Sequence, residues 1–171
     1  MRTVTRHQIR TIVNGEPTSV EVEANDVLLD VLRTALGVKS PKIGCERGDC
    51  GSCTVLLDGR TVRSCLVLAV EADAHEITTV EGIEHAGPTA VQEMLIEQSS
   101  FQCGFCAPGI VLAAAELIER VPRPSADEVR EAIAGNLCRC TGYESIVDAV
   151  LATAGSGTSA TNGATSSGAS S

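Results

Sequence analysis

Residues 44–54 read Gly-Cys-Glu-Arg-Gly-Asp-Cys-Gly-Ser-Cys-Thr and bring Cys45, Cys50 and Cys53 into one short loop at C-x4-C-x2-C spacing. A fourth cysteine, Cys65, follows after eleven residues. Four thiolates converging on a small inorganic core are what a [2Fe–2S] centre needs, and this is plant-type iron–sulfur spacing with an open last gap. Three ligands can come from one loop only if the loop wraps the core with its side chains inward. Gly44, Gly48 and Gly51 suit that need, because glycine takes positive φ and lets backbone approach closely. Amide N–H groups freed in such a loop can point at sulfur, stabilise the reduced cluster and so help set its potential.

A second set of four lies further on. Cys103 and Cys106 are separated by two residues, Cys138 and Cys140 by one. If both pairs sit at junctions between helices, two facing turns can present four thiolates to one core, as helical proteins build metal sites from elements that meet inside. The eight cysteines then divide four and four with none left over. Zinc is the first rival. Four-cysteine zinc sites usually pair two C-x2–4-C knuckles, whereas Cys138-x-Cys140 is too tight for the second knuckle and the first set crowds three ligands into one loop. Disulfides fit badly, because no secretory signal is visible. His7, His75 and His85 lie outside both sets and read as surface residues. Arg47 and Arg139 stand between ligands; their charge either raises a cluster's potential or is simply solvated. The three aromatic residues, Phe101, Phe105 and Tyr143, flank the second set, where they shield it from water, pack a small core, or both.

The elements that must position these loops can be read from pattern. Residues 6–22 predict a hairpin about Asn14-Gly15, with Ile9, Ile12 and Val13 before the turn and Val20 and Val22 alternating after it. Asn25 or Asp26 is placed to cap a helix over 27–36, with Leu28, Val31, Leu32 and Ala35 on one face and Gly37 just past its end. Thr54–Leu57 reads as a strand, Asp58-Gly59 as a tight turn, and Thr61–Leu68 as the returning strand that carries Cys65. Ile77–Val80 is one more strand. After Gly82 the pattern becomes helical. Pro88 suits the first turn of a helix bearing Val91, Met94, Leu95 and Ile96, and Pro108 starts a second that Pro122 and Pro124 end. Ser125 with Glu128 forms a capping box for a third, which Gly135 stops. A last helix runs from about Tyr143 to Ala154. The predicted organisation is α+β: residues 1–82 as a strand-rich unit, 83–154 as an all-helical one, and 155–171 as a Ser, Gly, Ala and Thr tail too polar to bury a core. Gly155-Ser-Gly-Thr-Ser-Ala160 matches a dinucleotide fingerprint but follows a helix rather than a strand, and is rejected.

The totals agree with a metal-held protein. Of 171 residues 43% are hydrophobic but only 2% aromatic, so the cysteines are candidates for holding the fold together. A net charge of −9 argues against nucleic acid and suits a chain that docks on other proteins. No transmembrane span is visible, and a cytoplasmic location is the default, where eight cysteines read as metal ligands before disulfides.

Three stretches carry a family resemblance: the cysteine loop 44–54, Gln102-Cys-Gly-Phe-Cys-Ala-Pro-Gly109, and Gly135-Asn-Leu-Cys-Arg-Cys-Thr-Gly-Tyr143. Together they resemble the small iron–sulfur subunit of the xanthine dehydrogenase and aldehyde oxidase family of molybdenum hydroxylases, over about residues 7–154. Ser52, Ala107 and Ile110 depart from the family pattern, and none is a candidate ligand. The resemblance implies a β-grasp, plant-type ferredoxin-like domain followed by a four-helix bundle, with one [2Fe–2S] cluster on Cys45, Cys50, Cys53 and Cys65 and another on Cys103, Cys106, Cys138 and Cys140. It implies a large molybdopterin-cytosine-dinucleotide subunit and a medium FAD subunit as partners. The second cluster would lie nearer molybdenum and the first nearer flavin, with Gln102 contacting the pterin and Cys140 the ligand closest to it. On this reading the chain relays single electrons and turns over no organic substrate alone. A free two-cluster ferredoxin is the alternative, and a zinc-stabilised interaction module a more distant one.

Overall fold

The computed structural model describes residues 5–83 and 87–155. The 155–171 tail, apart from Gly155, and His85 lie outside these residues.

The first half is built on a five-stranded sheet in the order β2-β1-β5-β3-β4. Strands β1 (Arg6–Val13) and β2 (Glu16–Glu23) form the predicted hairpin. Asn14 and Gly15 take φ of 53° and 82°, the paired positive values that a tight two-residue hairpin turn needs. Strands β3 (Thr54–Leu57) and β4 (Arg60–Arg63) form a second hairpin about Asp58-Gly59. The short β5 (Glu76–Thr78) joins them, parallel to β1 and antiparallel to β3. Val13, Val55 and Ile77 from the sheet bury against Leu28 and Leu32.

Three local expectations are corrected. The helix predicted over 27–36 is one α-helical turn, α1 (Leu28–Asp30), that runs on as a π-helical turn over Val31–Ala35. Its N-cap is Val27, without a side-chain cap, rather than Asn25 or Asp26. Asp26 is already committed: its carboxylate accepts from the Glu23 amide at 2.7 Å and its carbonyl from the Ala69 amide at 2.7 Å. Gly37, at φ 73°, does follow the end of this segment. The strand expected over Thr61–Leu68 stops at Arg63: the Ser64 amide still donates to the Cys53 carbonyl at 3.3 Å, in register with the β3–β4 pairs, and its hydroxyl donates to the same carbonyl at 2.7 Å, but the chain then turns out of the sheet. Cys65 therefore sits in a 3-10 turn (Ser64–Leu66). Likewise β5 ends before Val80, since the Thr79 amide donates to the Asn14 side-chain oxygen at 2.8 Å instead of continuing the ladder. Val80 opens α2 (Val80–Ile83).

The second half is helical: α3 (Ala90–Glu97), α4 (Ala107–Arg120), α5 (Ala126–Ile133) and α6 (Glu144–Gly155). Helix α3 packs on α6, α5 on α4 and α6, and α4 also on β3. Val91, Ile110, Ala114, Val129, Ile146 and Val150 are completely buried between them. No aromatic side chain is among the largest fully buried ones, which are all Leu, Ile and Val. Phe101 and Tyr143 pack at the edge of this core, while Phe105 is 45% exposed. Pro108 lies in the first turn of α4 as predicted, but Pro88 precedes the N-cap of α3, which is Thr89. Among the described residues no helix is long and apolar enough to cross a membrane.

The box predicted at α5 is complete. The Ser125 hydroxyl accepts from the Glu128 amide at 3.3 Å, and the Glu128 carboxylate accepts from the Ser125 amide at 2.7 Å. Ser125→Ala should lower stability by about 1 kcal/mol. Thermal unfolding followed by circular dichroism should register this as a midpoint lower by about 2–4 °C.

Candidate metal centres

Each of the eight cysteines is free of disulfide bonds, and their sulfurs fall into pairs. In the first set the Cys50 amide donates to Cys45 Sγ at 3.4 Å, and the two side chains interact. Cys53 and Cys65, both buried, meet side chain to side chain beside Leu29. In the second set Cys103 and Cys140 Sγ are 3.5 Å apart, and Cys106 pairs with Cys138. Among the described residues no three cysteine, histidine or acidic side chains converge tightly enough to hold a single metal ion. Two pairs per set is instead the donor arrangement of a di-iron core, in which each iron takes two thiolates.

The loop geometry follows from its glycines. Gly48 and Gly51 take φ of 88° and 70°, turning the chain so that Cys45, Cys50 and Cys53 can face one centre. Gly44 serves by close approach instead: a Cβ there would stand 2.7 Å from Cys50 Sγ. In the second set Cys106 caps the N-terminus of α4, and Tyr143 braces the Cys138 turn. The Cys138 amide donates to Tyr143 Oη at 2.7 Å, which donates in turn to the Asn136 carbonyl at 3.3 Å. Gln102 Nε2 donates to the Cys140 carbonyl at 2.9 Å, so this exposed glutamine is fixed beside the exposed Cys140.

The thiols are unequal. Amide hydrogen bonds, first from Arg47 and then from Cys50, bring Cys45 down to about 7. The Phe105 amide and the Cys140 side chain lower Cys103. Cys138 is lowered as well: burial pushes it up, but the Thr141 hydroxyl, 3.1 Å away, and nearby amides outweigh that. Burial and the Cys53 partner push Cys65 up to about 11, burial and Cys138 push Cys106 up to about 12, and Cys140 is raised by Cys103. Donated N–H groups thus favour thiolates in both sets, while buried partners keep their protons until a metal displaces them.

Other residues singled out from sequence do less. Arg47 is exposed and pairs with Asp49 at 2.9 Å, and Arg139 is exposed. His7 is exposed on β1, and His75, just before β5, has its Nδ1 2.5 Å from Asp58 Oδ2 in the β3–β4 turn. Ser52 and Ile110 are buried, and Ala107 is half-buried at the start of α4.

Sequence reasoning missed the seam that joins the two cysteine loops. Asn136, 1% exposed, donates through Nδ2 to the Gly51 carbonyl at 3.0 Å and to Thr54 Oγ1 at 3.1 Å. Arg63 donates to Thr54 Oγ1 and to the Gly135 carbonyl, both at 2.8 Å. The Leu137 amide donates to the Cys50 carbonyl at 2.9 Å, so one hydrogen bond links a residue of the first cysteine set to the neighbour of Cys138. Two glycines make the contact possible: a Cβ on Gly51 would lie 2.3 Å from the Gly135 carbonyl, and one on Gly109 would lie 2.5 Å from the Gly51 carbonyl. Gly109 and Asn136 both fall inside the motif stretches, but nothing in their spacing tells which distant atoms they meet.

Comparison with known proteins supplies the lineage. Residues 11–81 match the 2Fe-2S iron-sulfur cluster binding domain and residues 79–151 the [2Fe-2S] binding domain. The chain is 47% identical over 146 residues to the nicotine 6-hydroxylase small subunit of Paenarthrobacter nicotinovorans, a match spanning 85% of this chain and 88% of that protein. It is 45% identical over 139 residues to the nicotinate dehydrogenase small FeS subunit of Eubacterium barkeri, spanning 81% and 88%. Its fold is similar to a chain of quinoline 2-oxidoreductase from Pseudomonas putida 86, with a TM-score of 0.85 and 45% identity, over 89% of this chain and 96% of that one.

Proposed function

The chain belongs to the small iron–sulfur subunits of the molybdenum hydroxylases, the xanthine dehydrogenase group among them, and from that premise we propose how its eight cysteines are used. Cys45, Cys50, Cys53 and Cys65 hold one [2Fe–2S] cluster; Cys103, Cys106, Cys138 and Cys140 hold the other. When bound, each cluster takes up and gives back one electron at a time. The chain supplies the position, the amide environment and the cover from water, and serves as the electron-transfer subunit of an oxidoreductase rather than as a catalyst on its own. The observation that carries this reading is the two-and-two pairing of the sulfurs in each set. A zinc module would need four sulfurs around one ion, and a free-standing ferredoxin is at odds with relatives that are small subunits.

The architecture is read at finer grain as a β-grasp ferredoxin-like domain over 1–82 and a four-helix-bundle domain over 83–154. The separate buried clusters under the sheet and among the helices support that division, and the two matched segments meet near its boundary. The partners are a large subunit carrying molybdopterin cytosine dinucleotide and a medium subunit carrying FAD. Cys103 and Cys140 are the exposed cysteines, which favours the second set as the face toward the pterin, with Gln102 beside it and Cys140 the nearest ligand. The first set then serves the flavin side. The cytoplasm is the compartment that eight free cysteines fit.

The test is purification of the chain with whatever accompanies it. Iron and acid-labile sulfide should be present in equal amounts, two distinguishable paramagnetic species should appear on reduction, and two larger chains should copurify. Colourless protein containing zinc would overturn the cluster assignment, and a coloured protein eluting alone would overturn the subunit role.

A further inference from the structure

The cation that reaches the second cysteine set comes from the first set's loop. Lys42 stands three residues before Cys45, and its backbone amide is tied to the Ser52 carbonyl at 2.8 Å, within that loop. Its side chain crosses to the other set. Nζ lies over the Phe105 ring, 5.6 Å from the centroid, and Phe105 sits in the turn between Cys103 and Cys106. The ammonium is half-buried and donates to the Ser40 carbonyl at 3.2 Å, not to a carboxylate. Glu81, the acid whose charge bears on it, is occupied elsewhere, accepting from the Lys39 and Ser40 amides and from the Ser40 and Thr79 hydroxyls. Arg33 adds further positive charge nearby.

We propose that Lys42 sets the potential of the second cluster, its ammonium being held over the Cys103–Cys106 turn by the loop that ligates the first. The inference rests on the ligand assignment above. A site that gains an electron gains negative charge, and a fixed cation in a partly dehydrated position favours that state. The effect falls mainly on the set that Phe105 belongs to. Arg47 and Arg139, the cations that stand between ligands in sequence, are exposed, where water and salt screen them. Lys42 is the better placed because Phe105 and the loop shield it from one side. Its location also makes the tuning conditional on the seam: if the first loop moves off the helices, the charge leaves with it.

The experiment is a potentiometric titration, followed by electron paramagnetic resonance, of the complex carrying the native chain, Lys42→Met or Lys42→Arg. The two signals are assigned beforehand with Cys106→Ser. Lys42→Met keeps the apolar stem and the backbone bond to Ser52 but removes the charge. It should lower the reduced-to-oxidised ratio of the second cluster at a given potential by roughly three- to tenfold, a tenfold change being about 59 mV for one electron. The first cluster should stay put, and Lys42→Arg should restore the native value. Lys42→Gln takes the place of Lys42→Met if the latter loads no iron. Unchanged potentials, a shift confined to the first cluster, or an arginine variant that behaves like the neutral ones would each overturn the proposal. A native complex without two signals would instead overturn the ligand assignment beneath it.

Discussion

A Cys106→Ser chain should carry half the iron and half the sulfide of the native protein and show one paramagnetic species instead of two. The reason is local. Cys106 is 6% exposed, stands at the N-cap position of α4 and pairs with Cys138, so its sulfur is enclosed where the chain enters the helix. Burial and Cys138 already push its thiol up to about 12, so only a tightly bound metal keeps it deprotonated. A serine hydroxyl is harder still to deprotonate, and Cys106→Ala removes even that weak donor, so the two variants should agree. The surviving signal should keep its native g values and lose only the broadening or splitting that magnetic interaction with the second cluster gives it. The cysteines proposed to hold the surviving cluster, Cys53 and Cys65 among them, pack against Leu29 beside the sheet, outside the core of α3 to α6. Electron passage between the partner subunits should fall by more than the roughly 10–100-fold that altering an outer partner of a metal ligand costs. Rapid-freeze kinetics on the assembled complex would measure it. Two undiminished signals in Cys106→Ser would remove Cys106 from the ligand set.

What the sequence disclosed about this site was what short-range chemistry writes down. Cys45, Cys50 and Cys53 are legible because one loop must hold three thiolates, and Asn14-Gly15 because two successive positive φ values admit few residue types. Ser125 and Glu128 are legible because both halves of their box lie within four residues. The failures are residues whose local preference was overridden by another contact, near or distant. Asp26 has the side chain of a helix cap but accepts the Glu23 amide instead, leaving Val27 at the helix start. Thr61 to Leu68 has strand composition, yet the chain leaves the sheet after Arg63 and Cys65 is buried in a 3-10 turn against Cys53 and Leu29. The reach of Lys42 to Phe105, and of Asn136 to Gly51 across 85 positions, leaves no periodic trace at all. Proximity in sequence even misleads: Arg47 and Arg139 stand between cysteines and face solvent, while the cation that meets the second set is numbered with the first.

Gly109→Ala should destabilise the protein, although the usual sign of that change is the opposite. Gly109 is the third residue of α4 and does not have a left-handed φ. In an ordinary helix alanine there would stabilise by up to about 1 kcal/mol. Here the added Cβ would stand 2.5 Å from the Gly51 carbonyl and 2.7 Å from Asn136 Nδ2. Neither atom can yield cheaply. The Gly51 carbonyl also accepts from the Thr54 amide at 3.1 Å and the Thr54 hydroxyl at 2.6 Å, and Asn136 is 1% exposed. The helix must therefore lift off the loop, at the cost of the overlap it relieves and of the Asn136 bonds it breaks. Overpacking costs about 1–3 kcal/mol and each buried hydrogen bond about 1 kcal/mol, so the net loss should be about 2–4 kcal/mol. That corresponds to a midpoint lower by about 5–15 °C. Gly142→Ala is the matched control, since a Cβ there meets nothing within 4 Å and its φ is not left-handed. It should leave the midpoint where it is. A Gly109→Ala protein as stable as the Gly142→Ala one would mean that α4 and the cysteine loop are not pressed together at the seam. The same variant carries a sharper reading, because the Leu137-to-Cys50 hydrogen bond spans the seam that the added methyl prises open. Both cluster signals should persist in Gly109→Ala while the magnetic interaction between them weakens, which separates a loosened seam from a lost ligand.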